Sequence, residues 1–295
     1  MPRYSVVHET RYTHESSASA AWQALHLQPR NEAVQHCDAF ELHVSPHPAD
    51  LTSRLDYFGN KQHLFTLREP HRELAITSRS VVSREETILP MAGLTPAIGE
   101  IPDLVDMAVM AGEFSLEQFL HASPMVPLLQ EARALGGELG WDLGPGATAM
   151  DWLANLGARF NRAFVFDREA TWVSVPLADV VAQRRGVCQD FAHLFISMLR
   201  HQRMPAAYVS GYLLTRPPEG QPRLVGADAS HAWVSAFIPG TGWVDYDPTN
   251  ACFVGTGHIV IARGRDYSDV SPVKGLFSGG GGHELETGVT VEELD

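Results

Sequence analysis

The chain has 295 residues, 44% hydrophobic and 19% charged, the proportions of a soluble globular protein with room for one large or two ordinary domains. Its 22 basic and 35 acidic side chains leave a net charge of −13, which disfavours non-specific attraction to nucleic acid or to an anionic membrane. There is no apolar signal core at the start and no apolar run of about 18 residues, so a cytoplasmic location is expected. Three cysteines, Cys37, Cys188 and Cys252, are too few and too scattered for a disulfide framework.

Residues 1–90 read as short strands separated by turn signals. Residues 4–12, 22–27, 40–44, 64–67 and 74–82 carry the β-formers, and Phe58-Gly59-Asn60 marks a turn. Nothing between them has a helical period, which predicts an antiparallel, sandwich-like β domain over 1–90. Eight histidines crowd this region without the spacing of a metal site. Residues 91–102, rich in proline and glycine, form the expected linker, and 103–295 the expected core.

Helical patterns open that core, at 103–110, at 115–121 and after Ser123-Pro124, where serine can cap and proline can take the first position. Thr148 opens another helix, with Ala149, Trp152, Leu153, Leu156 and Phe160 on one face. Residues 177–184 then deliver the chain to Arg184-Arg185-Gly186-Val187-Cys188. From there Phe191, Leu194, Phe195, Met198 and Leu199 repeat at helical spacing, so Cys188 opens a helix buried along one side. Gly186 supplies backbone freedom for the turn into it. A sulfur in the first turn lies beside unpaired N–H groups and the positive end of the macrodipole, which favours the nucleophilic thiolate. A lone cysteine beside Val and Phe is also often just a small buried hydrophobe, and that is the reading given to Cys37 and Cys252.

Met204-Pro205 ends the helix, and a strand at 206–214 carries Gly211, where the backbone of a neighbour is expected to come close. The loop at 215–230 precedes His231-Ala232-Trp233-Val234-Ser235-Ala236-Phe237-Ile238, then Pro239-Gly240-Thr241-Gly242 and Trp243-Val244-Asp245-Tyr246-Asp247. This is a β-hairpin. His231 enters its first strand and Asp247 leaves its second, 16 residues later (247 − 231). A pair such as Ile238 with Trp243 would set them on opposite faces, so sharing a face needs a five-residue loop, a β-bulge, or a register in which paired residue numbers sum to an even value. Beyond the hairpin come a strand at 259–262 and a polar run in which Arg265, Asp266 and Asp269 border the cleft or simply face solvent. Gly279 to Gly282 suggest a flexible hairpin loop, and 283–294 a returning strand.

Gly-Val-Cys-Gln-Asp-Phe-Ala-His-Leu at 186–194, Met-Pro-Ala-Ala-Tyr-Val-Ser-Gly-Tyr at 204–212, His-Ala-Trp-Val at 231–234 and Asp-Pro-Thr at 247–249 together resemble the bacterial transglutaminase-like superfamily. Members of that family are described as cysteine proteases, and its N-terminal β region also resembles residues 1–90. The resemblance implies an α+β fold: a papain-like transglutaminase core, its nucleophile helix packed on an antiparallel sheet, preceded by the β domain. It implies Cys188 as nucleophile, His231 as base and Asp247 as the carboxylate that orients the base.

The expected chemistry is acyl transfer from an amide through a thioester, most simply hydrolysis of a peptide or protein substrate. Two alternatives stand beside it: a protein-glutamine transglutaminase using an amine acceptor, and an inactive scaffold that binds without reacting. A thiol esterase or acyltransferase would share the same three side chains. No cofactor is implied, since neither an EF-hand loop nor zinc-site spacing occurs. The Cys188 backbone N–H is the first candidate oxyanion donor, with Gln183 or the Trp172 indole as the second.

Overall fold

A computed structural model describes residues 1–142, 144, 146–167, 175–215 and 230–294. The N-terminal region is built from β1 (Arg3–Leu25), β2 (Gln35–Ser45), β3 (Asp50–Leu55), β4 (Lys61–Leu67) and β5 (His71–Arg84). Helices α1 (Ile101–Met110), α2 (Gln130–Glu138) and α3 (Ala149–Ala163) follow, then β6 (Val165–Phe166), α4 (Leu177–Gln183), β7 (Arg185–Gly186) and α5 (Cys188–His201). The second sheet uses β8 (Ala206–Leu213), β9 (Ser230–Ile238), β10 (Gly242–Asp247), β11 (Cys252–Phe253) and β12 (His258–Gly264). The short α6 (Tyr267–Val270), β13 (Val273–Gly279) and β14 (His283–Leu294) end the chain.

The β region is one seven-stranded antiparallel sheet ordered β2-β5-β1-β4-β3, with β13 and β14 also paired to β1. The two strands expected at 4–12 and 22–27 are halves of the 23-residue β1, joined through an irregular stretch near Glu15 to Ser17. Residues 273–294 therefore belong to the sheet of the N-terminal region, although they follow the core in sequence. Gly279 to Gly282 do not close a hairpin. They step the chain from β13 to β14 along the same edge of β1, between the pairs Ala18–Gly279 and His14–His283. Positive φ at Gly279, Gly280 and Gly281 lets the backbone make this step opposite the irregular part of β1.

Helix α3 begins where expected, with the Thr148 hydroxyl accepting from Asp151 N at 3.2 Å. The helix expected after Ser123-Pro124 starts only at Gln130. Pro127 disfavours helical geometry at Val126, and Ser123 and Val126 instead exchange backbone hydrogen bonds. Residues 114–119 form a 3-10 turn.

The second sheet is antiparallel, ordered β11-β10-β9-β8-β12, and α5 packs across β8 and β9 with α2 and α4 on its other flanks. The helix is thus buried on nearly every side, from Asp190 through Arg200, where the sequence suggested one apolar stripe. The main core runs from α3 and α5 to Ala232, Val234, Ala236 and Ile238 of β9. It continues to Tyr4, Val6, Val82, Val289 and Val291, which press the N-terminal sheet onto the same core. Among the described residues no helix is long and apolar enough to cross a membrane.

Candidate active site

Cys188 is the first residue of α5 and is half-buried. Two local devices hold it there. The two-stranded parallel pairing of β6 with β7 fixes Arg185 and Gly186 just before the helix. Asp190, in the first turn, then accepts from the Val187 N–H at 2.9 Å, satisfying a donor at the helix start. Gly186 is needed for space rather than for an unusual φ, since a Cβ there would lie 2.8 Å from Asp190 Oδ2.

His231 and Asp247 are brought together by the register of the hairpin. Ile238 pairs with Gly242, so paired numbers sum to 480 (238 + 242), an even value, and the turn is the three residues 239–241. The two side chains fall on the same face, with parity opposite to the core-facing Ala232, Val234 and Ala236. His231 Nε2 lies 2.7 Å from Asp247 Oδ2. The Cys188 sulfur lies near enough to the same ring to help Asp247 raise its pKa.

Asp247 is fully buried and richly bonded. Its Oδ1 accepts from the Thr249 and Asn250 backbone N–H groups at 2.9 and 3.2 Å. Its Oδ2 takes His231, Asn250 Nδ2 at 2.7 Å and His258 Nε2 at 3.2 Å. Burial alone would raise this carboxyl, but the hydrogen bonds from His231 and His258 hold it well below the usual carboxylate range. Burial likewise pulls the His231 ring down, yet the bond to Asp247 and the nearness of Cys188 outweigh it and push the ring up to about 10. At neutral pH the ring is an imidazolium held between a sulfur and a carboxylate.

Asn250 and His258 are members of the cluster that the sequence reading did not single out. Asn250 had a signal, because a residue three after an aspartate is where a turn closing on its carboxylate would fall. His258 had none: it opens β12, which pairs with β8, and reaches Asp247 only through the strand order. Gly211 makes this possible. A Cβ there would lie 2.2 Å from Trp233 and 2.3 Å from the Ile259 carbonyl, so its absence lets the Trp233 ring lie over β8 and meet His258 edge-on at 5.3 Å. The ligand atoms of His231, Asp247 and His258 lie within 4.8 Å of one another, a spacing that suits a cation as well as shared protons.

The remaining predicted positions divide. Gln183 ends α4 with an exposed side chain and is not among the residues lining the cavity of about 310 Å³ beside the first turn of α5. Trp172 and the loop residues 217–220 lie outside the described residues. The polar run at 265–269 is neither cleft rim nor idle loop. Asp266 is fully buried, caps α6 and accepts from Met125 N at 2.8 Å, while Arg265 forks onto Asp269 at 2.9 and 3.0 Å. It braces the segment before α2 against the nucleophile helix. Burial pushes the Cys37 and Cys252 thiols up to about 11, Asp38 adding to the first and Asp247, which faces Cys252 across β10 and β11, to the second.

Residues 4–83 match the bacterial transglutaminase-like N-terminal region and residues 148–248 the transglutaminase-like superfamily core. An uncharacterized protein of Mycobacterium tuberculosis is 36% identical over 284 residues, covering 93% of this chain and 87% of its own. An uncharacterized protein of Mycobacterium leprae is 34% identical over 301 residues and covers both chains completely. The chain belongs to the bacterial transglutaminase-like superfamily, with an N-terminal β region and a transglutaminase-like core. A crystal structure from Cytophaga hutchinsonii, provisionally described as a cysteine protease, shares the fold at a TM-score of 0.76 with 18% identity, over 100% of this chain and 91% of that one.

Proposed function

We propose that the protein is a cysteine-dependent amide hydrolase that cleaves a peptide or protein substrate through a thioester. Cys188 attacks the amide carbonyl, the His231 imidazolium gives its proton to the departing amine, and Asp247 holds the ring in the orientation this requires. Water then attacks the thioester while His231 takes its proton, the acid leaves, and the thiolate–imidazolium pair is restored. The Cys188 backbone N–H, in the first turn of α5, supplies one donor to the oxyanion.

The observation that carries this reading is one ring with two partners: its Nε2 is bonded to a buried carboxylate at 2.7 Å, and the sulfur at a helix start is near enough to raise its pKa. A scaffold without chemistry has no use for an imidazolium clamped between these two groups. The test is to incubate the protein with a peptide library and search by mass spectrometry for a covalent adduct on Cys188, with Cys188→Ala as the blank. An acyl adduct in the parent protein alone supports the proposal, and no adduct from any peptide argues for a binding scaffold. Adding a primary amine separates hydrolysis from transamidation, because an amine acceptor would divert the thioester to a new amide.

A further inference from the structure

A second cleft, of about 840 Å³, opens where the N-terminal sheet meets the core, and none of Cys188, His231 or Asp247 lines it. Its floor carries five charged side chains: Arg30, Arg84 and Arg263 against Glu32 and Asp245. In a chain of net charge −13 this floor has an excess of one positive charge.

The excess has an address. Arg263 forks onto Asp245 with both terminal nitrogens at 2.8 Å and onto Glu32 at 2.7 and 2.9 Å, and Arg30 shares Glu32 at 3.0 Å. Asp245 also accepts from the Trp233 indole at 3.2 Å. Both carboxylates are therefore committed. Arg84, only 2% exposed, makes one long contact of 3.4 Å to Gln35 Oε1, and its Nε–H has no partner among the described residues. That Gln35 oxygen already accepts from Val260 N at 2.8 Å. A buried guanidinium with its Nε–H unpaired and only one long side-chain bond is costly unless something anionic meets it. Burial lowers its pKa, while Asp245 and Glu32 nearby raise it.

We propose that this cleft binds a small monocarboxylate with an apolar or aromatic body, its carboxylate seated on Arg84. One excess positive charge matches one carboxylate, and the planar fork of arginine fits the two oxygens side by side. The walls fit the rest of such a molecule. Ile88, Leu89, Phe119 and Trp243 line the cleft, with Ile88 93% and Trp243 41% exposed, an apolar lip of the kind that marks a ligand site. The volume lies within the usual range for small-molecule pockets. The acid could be a free small molecule or the end of a short peptide, and both present the same group to Arg84.

The test uses the full chain in the Cys188→Ala form, so that the nucleophile plays no part. 3-Phenylpropanoate and acetyl-Ala-Phe, each beside its own carboxamide, are titrated by calorimetry and by thermal shift. Both acids, or one of them, bind at one site per chain, at least about tenfold more tightly than the matching amide, and the better acid identifies the source. Arg84→Met abolishes this preference. Trp243→Ala weakens the acids yet keeps their advantage over the amides, and it decides the matter if Arg84→Met does not fold. Amides binding as well as acids, undiminished binding in both variants, or no binding of either acid at concentrations on the order of 10 mM would overturn the proposal.

Discussion

Asp247 reaches the His231 ring at 2.7 Å because Ile238 pairs with Gly242 across a three-residue turn. A shift of one residue in that register would turn the carboxylate to the opposite face of the sheet and leave the imidazole without a partner. Five donors converge on the two oxygens of Asp247, so this carboxylate is also a keystone of the surrounding backbone.

Replacing Asp247 is expected to separate these two roles. Asp247→Asn keeps the shape but presents a neutral amide, and turnover should fall by about 10³-fold or more because the ring loses its orientation and its counter-charge. Asp247→Ala leaves His231, His258 and Asn250 without their acceptor, at a cost of about 3–5 kcal/mol measured by denaturant unfolding. An Asp247→Asn protein with unchanged turnover would remove this side chain from the mechanism.

The same pair predicts a pH signature. The folded His231 ring titrates at about 10 against an ordinary 6.5, so its contribution to stability is fully present below pH ~6.5 and is lost as the pH rises toward 10. Unfolding followed from pH 7 to 10 should show this loss, and His231→Phe should flatten it. Any amide-cleaving activity should fall along the same alkaline limb, since the ring proposed to protonate the leaving amine is then neutral.

On the acid side the relevant rings are elsewhere. Burial pulls His8 and His193 down to about 4, although Asp266 works against it at His193. Between pH ~6.5 and 4 the unfolded chain binds more protons than the folded one, so stability should drop as the pH falls through this window. His8 bonds Tyr212 of the core at 2.8 Å and Thr10 at 3.1 Å, which ties the first sheet to the second. His8→Gln should reduce the acid-side slope measured by thermal unfolding without altering the alkaline loss.

His258 bonds the same Asp247 oxygen as His231, and its loss should show as misplacement of the carboxylate. His258→Ala is expected to cost about 2 kcal/mol of stability and to lower turnover by less than Asp247→Asn does, with His258→Gln restoring part of both. Equal turnover in His258→Ala and the parent would limit this histidine to a packing role.

Gly211 offers a test from further away. Its Cβ would meet both the Trp233 ring and a backbone oxygen, so Gly211→Ala forces β8, β9 or β12 to move. A loss of about 2–3 kcal/mol on unfolding is expected, together with weaker coupling of His231 to Asp247, because Trp233 shares a strand with His231.

The sequence carried the local features well. Apolar spacing placed α5, Thr148 marked the start of α3, and the β-formers on either side of Pro239 to Gly242 marked the hairpin. The long-range features were less legible. Residues 273–294 read as strands, yet their partner is β1 at the opposite end of the chain, and no local pattern encodes that choice. His258 was hidden for the same reason, as one of 14 histidines made relevant only by strand order and by a missing side chain at Gly211. Arg265, Asp266 and Asp269 looked like a loop because turn formers and charges are common in solvent. Their role as a brace around the buried Asp266 depends on what they touch, and for Asp266 that is Met125.

The most direct test of the central claim is the alkylation of the three cysteines by iodoacetamide, followed by mass spectrometry in the parent protein and in His231→Ala. The account predicts that at pH 7 Cys188 is modified far faster than Cys37 and Cys252, whose thiols stand at about 11, and that this advantage disappears in His231→Ala. Equal, slow modification of all three, or a Cys188 that reacts as fast without His231, would contradict it.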